Sequence, residues 1–185
     1  MPLPHYTQSR ASSQRYEPIQ PNLFEVTVFS PLGDDTGLIL EQVKSIGGLN
    51  NLNPSIDAVN QKYKFADRSY AGMPAQTFVD LTLNFSLNLN EANENYIYNT
   101  FRNWNNLIYD PLTGEMGLKK DYVGSMIVVQ YNRAGDIFRK ITFKDVFPTG
   151  QPDFVDELNY ETQDPAELTM TYRCDHWVEE NVGAA

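Results

Sequence analysis

Apolar and polar residues alternate most strictly along residues 77–89. Val79, Leu81, Leu83, Phe85, Leu87 and Leu89 fall on one side of an extended chain, and Asp80, Thr82, Asn84, Ser86 and Asn88 on the other. A two-residue period of this length predicts a strand with one buried and one polar face. The same period marks residues 22–29, where Phe24, Val26 and Val28 oppose Glu25 and Thr27 before Pro31 and the Gly33-Asp34-Asp35 turn. Residues 37–45 predict a further strand. Residues 123–132 and 137–147 predict a hairpin around Arg133-Ala134-Gly135-Asp136, and residues 154–160 a short strand. In residues 167–177, Leu168, Met170, Tyr172 and Cys174 alternate with Thr169, Thr171, Arg173 and Asp175, which predicts the last strand.

Between 88 and Pro111 the period changes. Ile97, Phe101, Trp104 and Ile108 are spaced as one stripe of a helix, with Asn88 as its N-cap and Glu91 completing a capping box. Leu87 and Ala92 are placed to form a hydrophobic staple across that start. Six asparagines between 93 and 106 are poor helix formers, so this helix depends on packing its stripe against a sheet. Residues 111–121 read as a loop.

Residues 46–76 carry no packed pattern. They open on Gly47-Gly48, close on Gly72 and Pro74, and are too long for an ordinary connection in a compact domain. Residues 56–65 predict one arm of a projecting hairpin. Residues 1–20, without periodicity, predict a flexible arm, and residues 179–185 a flexible end. The main domain is then 21–178. With strands, one helix and more strands in order, the fold class is mainly β (α+β): an antiparallel β-sandwich or barrel-like fold with one packed α-helix.

Composition narrows the function. Eleven Tyr, ten Phe and two Trp in 185 residues supply a large core, which excludes a disordered chain. No run approaches the length of a membrane span, and the opening MPLPHYTQSR lacks a signal-peptide core, so a soluble, non-secreted protein without stable membrane insertion is expected. The net charge is −10, and residues 153–185 hold nine carboxylates against the single cation Arg173. That balance argues against a surface that grips nucleic acid. It suits either a solvated face kept for solubility or a surface to which nucleic acid must not adhere.

Catalytic chemistry finds no constellation. Cys174 and His176 share a strand face but lie roughly 6.6 Å apart at the backbone, a poor spacing for a thiol–imidazole pair. His5 and His176 are the only histidines, and the carboxylates show no ligand spacing, so no metal site is expected. Gly114 and Gly117 lack the lysine and hydroxyl of a phosphate loop. No cofactor and no enzymatic activity are expected. The polar side of residues 77–89 is more informative. Asp80, Thr82, Asn84 and Ser86 are short hydrogen-bonding groups without a cation or a large apolar contact. Two readings of it stand, a solvent-facing sheet or a smooth lining.

Taken in order, several stretches resemble the tail tube proteins of contractile-tailed bacteriophages, which are themselves similar to the inner-tube proteins of contractile injection systems. They are Gln20-Pro21-Asn22-Leu23-Phe24-Glu25-Val26; Gln76-Thr77-Phe78-Val79-Asp80-Leu81-Thr82-Leu83 running into the helix with Phe101 and Trp104; Gly124-Ser125-Met126-Ile127-Val128-Val129-Gln130-Tyr131; the corner Phe147-Pro148-Thr149; and the closing strand from Glu167 to Trp177. The resemblance spans residues 20–178. The arm before Pro21 and the loop 110–121 depart from the pattern.

The resemblance implies a virion structural protein whose hexameric rings stack into the inner tube of a contractile tail. The sheets of a ring would join edge to edge around a lumen through which DNA passes without specific binding. Its implied partners are further copies of itself, the tail sheath protein, and the baseplate and tail terminator proteins; its implied location is the phage tail, assembled in the host cytoplasm. Asp80, Thr82, Asn84 and Ser86 would line the lumen. Lys62, Tyr63, Lys64, Phe65, Arg68 and Tyr70 of the excursion would contact a neighbouring subunit. Two rivals remain: a tube-like baseplate, terminator or injection-system subunit of the same fold, and, from another class, a monomeric β-sandwich or barrel that binds a small molecule, or an unrecognised hydrolase.

Overall fold

The computed structural model describes residues 19–33, 41–52, 56–73, 78–87, 96–150, 152 and 165–180. Nine strands form among them: β1 (Phe24–Phe29), β2 (Val43–Gly47), β3 (Ala58–Lys62), β4 (Asp67–Ala71), β5 (Val79–Ser86), β6 (Gly124–Tyr131), β7 (Ile137–Pro148), β8 (Glu167–Cys174) and β9 (His176–Glu180). Helix α1 spans Tyr96–Ile108, and Lys119–Tyr122 adds a single turn, α2. All pairings are antiparallel. The main sheet runs β1-β6-β7-β8-β5-β2, with β9 also paired to β7, while β3 and β4 pair only with each other. The mainly-β class with a packed helix is what the sequence pattern predicts.

Strand β7 bends this sheet over its own core. Its residues Lys140 to Lys144 pair with β9, and Phe147 and Pro148 pair with β8. Asp145 lies between them at φ 54, and the β6 register steps over it, from Ser125↔Lys144 to Gly124↔Val146. A residue inserted on one strand only kinks that strand, which lets β7 serve both halves of the sheet. The alternation of β5 and β8 then puts Val79, Leu81, Leu83 and Phe85 beside Leu168, Met170, Tyr172 and Cys174, all fully buried. Val26, Val28, Met126, Val128, Ile141 and Phe143 complete the core from the other half.

Helix α1 is held by packing. Ile97, Phe101 and Trp104 are buried, whereas Ile108 is half-buried, so the stripe loses its depth in the last turn. Phe101 stacks at 4.9 Å from Phe85 and 5.9 Å from Tyr172, and Trp104 at 5.8 Å from Tyr172. The Trp104 indole N–H donates to the Tyr122 carbonyl, and a Cβ on Gly124 would press to 2.9 Å from the same ring. A glycine there makes room for the indole. The capping residues 88–95 lie outside the described residues, as does the expected strand 154–160.

The described elements differ from the sequence reading at four places. Of the strand expected at 37–45, residues 37–40 lie outside the described residues; the described strand is Val43–Gly47, ending where Gly48 turns left-handed at φ 92 against the Asp80 carbonyl. The alternation of 167–177 is two strands, because the chain bends at Asp175 and β9 leaves β8 to join β7. β9 also continues to Glu180, two residues into the expected free end, where Arg139 and Glu179 form an ion pair at 2.7 Å. The expected loop 111–121 contains a Tyr109–Met116 bridge and runs into α2.

Candidate assembly surfaces

The outward face of β2, β5 and β8 is a continuous polar lattice. Register places Asp80 opposite Arg173, Thr82 opposite Thr171, Asn84 opposite both Ser45 and Thr169, and Ser86 opposite Glu167. Asn84 donates to the Ser45 hydroxyl at 2.9 Å and accepts from the Thr169 hydroxyl at 2.8 Å, tying three strands together. Arg173 grips Asp80 with two bonds, Nε to Oδ1 at 2.8 Å and Nη2 to Oδ2 at 3.0 Å. Lys44 pairs with Glu167.

The polar side of β5 itself holds Asp80 and no cation, but the neighbouring strands bring cations beside it. Two cations are present, and both are paired with carboxylates. Arg173 sits on the same alternating side as Thr169 and Thr171. Its partner became visible only once the β5–β8 register was known.

Hydrogen bonds from the Arg173 guanidinium hold the Asp80 carboxyl below its ordinary range, and those from Arg139 do the same for Glu179. A carboxyl whose folded value is depressed adds stability above its unfolded value and loses it as pH falls through the folded one. Stability should therefore be flat above about pH 5 and decline below about pH 4. Asp80→Asn should remove part of that decline. The Asp80–Arg173 pair is half-exposed, so its share should stay under about 1 kcal/mol. Urea midpoints measured across the acid range for both proteins check this.

The second surface is the β3–β4 hairpin. Gly72 N–H donates to the Asp57 carbonyl at 2.7 Å at its base, and Tyr63 N–H to the Ala66 carbonyl at 2.9 Å at its tip. All ten strand residues are exposed. Lys64 lies over the Phe65 ring and Arg68 over Tyr63, while the Tyr63 hydroxyl donates to Gln61 and lies 3.3 Å from that of Tyr70. Phe65 is 91% and Met73 99% exposed, with Ile56 and Val59 also in water. From Ala58 to Ala71 there are three cations, Lys62, Lys64 and Arg68, against Asp67 alone, in a chain of net charge −10. An isolated two-stranded hairpin is marginal in water. This one presents exposed aromatics and positive charge and pairs with no other described strand.

A third feature is open backbone. Among the described residues β1 pairs only with β6, and β2 only with β5, so neither end of the sheet has a second described partner, and such an edge can add a strand. A surface groove of about 370 Å³ at the end of α1 is lined by residues including Asn105, Ile108, Tyr109, Pro111 and Pro148, and among the described residues no carboxylate, imidazole or thiol lines it. Cys174 is buried, its thiol pushed up to about 11 by desolvation. His176 lies on a different strand, 3.6 Å from Asp145. Among the described residues no three His, Cys, Asp or Glu side chains cluster as metal ligands, and no helix is long and apolar enough to cross a membrane.

No protein-family model matches the chain, and no curated protein sequence matches it. Solved structures do. A chain of the anti-feeding prophage cap, its tube-terminating cap, superposes with a TM-score of 0.61 at 16% identity, over 96% of this chain and 99% of that one. A chain of the sheath–tube complex of the PVC extracellular contractile injection system, in its extended state, gives 0.58 at 17% identity, over 94% and 100%. A chain of the sheath/tube terminator of that system gives 0.57 at 16% identity, over 90% and 99%. The three therefore share this fold from end to end.

Proposed function

We propose that this chain is a structural subunit of the tube of a contractile tail or contractile injection apparatus. The observation that carries the reading is the near-complete mutual coverage with chains from tube, cap and terminator assemblies of two such systems. The surfaces support it. Two sheet ends without a second partner among the described residues suit side-by-side closure of copies into a ring, hexameric by the resemblance. The paired polar face of β5, with Asp80, Thr82, Asn84 and Ser86, then lines the channel. The hairpin bearing Lys62, Tyr63, Lys64, Phe65, Arg68 and Tyr70 reaches an adjacent copy, its cations meeting the acidic remainder of that chain. In a phage tail the channel conducts DNA, and sheath, baseplate and terminator proteins are the partners.

A second reading, a tube-terminating subunit, is favoured by the cap and terminator chains among the similar structures. The two differ in whether rings stack. Size-exclusion chromatography with light scattering over a range of concentrations, followed by negative-stain microscopy, separates them. A tube subunit gives rings that grow into polymers, and a terminator gives rings that do not grow. A monomer at every concentration would contradict both and favour a ligand-binding β-sandwich.

A further inference from the structure

If the channel is that of a DNA-conducting tail, Arg173 stands on a wall past which a polyanion moves. Among protein cations arginine suits phosphate best, because its planar fork donates two parallel hydrogen bonds and is weakly hydrated. One unmasked arginine per subunit, repeated along a stack, would be a ladder of phosphate sites. In this structure one edge of the Arg173 fork is already taken, Nε and Nη2 both donating to the Asp80 carboxylate, which also neutralises the charge. Phe78 lies over the guanidinium, 5.8 Å from ring centroid to Cζ, and covers a face on which a base could stack.

The register makes this arrangement hard to lose. Asp80 and Arg173 are directly opposed, and the next pair, Leu81 and Tyr172, is fully buried. Sliding β8 by one residue would turn the whole buried row outward. An exposed pair of this kind contributes little to stability, so stability alone explains poorly why both its edge and its face are occupied. The other cation of this face, Lys44, is likewise held by a carboxylate, Glu167.

We propose that Asp80, with Phe78, masks Arg173 so that the polar face of β5 and β8 offers no free phosphate-binding cation. The proposal rests on the reading that this face lines the channel. The pair keeps the wall neutral, and the threonines and Asn84 beside it keep water there.

The test uses the assembled full-length protein and a short fluorescent DNA duplex, with retention read by co-sedimentation from about 50 to about 200 mM salt. Four proteins are compared: wild type, Asp80→Asn, Asp80→Asn with Arg173→Gln, and Asn84→Lys. Wild type and the double variant should retain no DNA. Asp80→Asn should retain at least about tenfold more at low salt, falling as salt rises by about one log–log unit per phosphate neutralised. Asn84→Lys should behave likewise, since it adds an unpaired cation to the same face. If Asp80→Asn matches wild type while Asn84→Lys retains DNA, the lining stands and the mask is wrong. If neither retains DNA, the mask fails together with the lining. Retention by wild type, or retention that persists in the double variant, would also overturn the mask.

Discussion

Replacing Trp104 with alanine is expected to lower folding stability by roughly 3–5 kcal/mol, the range for deleting a fully buried large aromatic side chain. The indole is fully buried, packs on Tyr172, and fills the space that Gly124 leaves open. Its N–H also satisfies the Tyr122 carbonyl at the end of α2, so the variant loses a hydrogen bond as well as contact area. Because α1 is rich in asparagine, little intrinsic propensity remains to hold it once its anchor is gone. Ile108→Ala, at the half-buried end of the stripe, should cost clearly less. The measurement is a urea unfolding curve for each variant. An unchanged midpoint for Trp104→Ala would show that the helix does not close the core.

The largest functional effect is expected from removing the hairpin. Its base is closed by the Gly72 to Asp57 hydrogen bond, so a short glycine–serine turn can replace the residues between them with little strain. None of the strand residues removed is buried, so the denaturation midpoint should stay near wild type. Assembly should be lost, because Tyr63, Phe65 and Tyr70 and the cations around them no longer reach a neighbour. Sedimentation and microscopy of the folded variant provide the reading. Long tubes formed without the hairpin would show that stacking uses another surface.

The sequence pattern identified the extended and helical segments wherever one face is buried. Val79 to Phe85 and Leu168 to Cys174 alternate because every second side chain enters the same core, and the α1 stripe follows from the same cause at helical period. A two-residue period identifies an extended chain but not its partner, so the change of partner at Asp175 is invisible across 167–177. The Asp80–Arg173 pair depends on register between strands 93 residues apart. The hairpin strands have two wet faces, so they carry no core-facing alternation to find. Asp145 at positive φ gives no composition signal, although it turns β7 from one half of the sheet to the other.

As tube subunits, copies of this chain are expected to close into rings whose channel is walled by the outward face of β2, β5 and β8. Cryo-electron microscopy of the purified protein under assembling conditions tests it most directly. The predicted map shows rings joined through the β1 and β2 edges, with Asp80, Arg173 and Asn84 facing the channel and the β3–β4 hairpin crossing to another copy. A map with that polar face on the outer surface, or monomeric particles at every concentration, would contradict it.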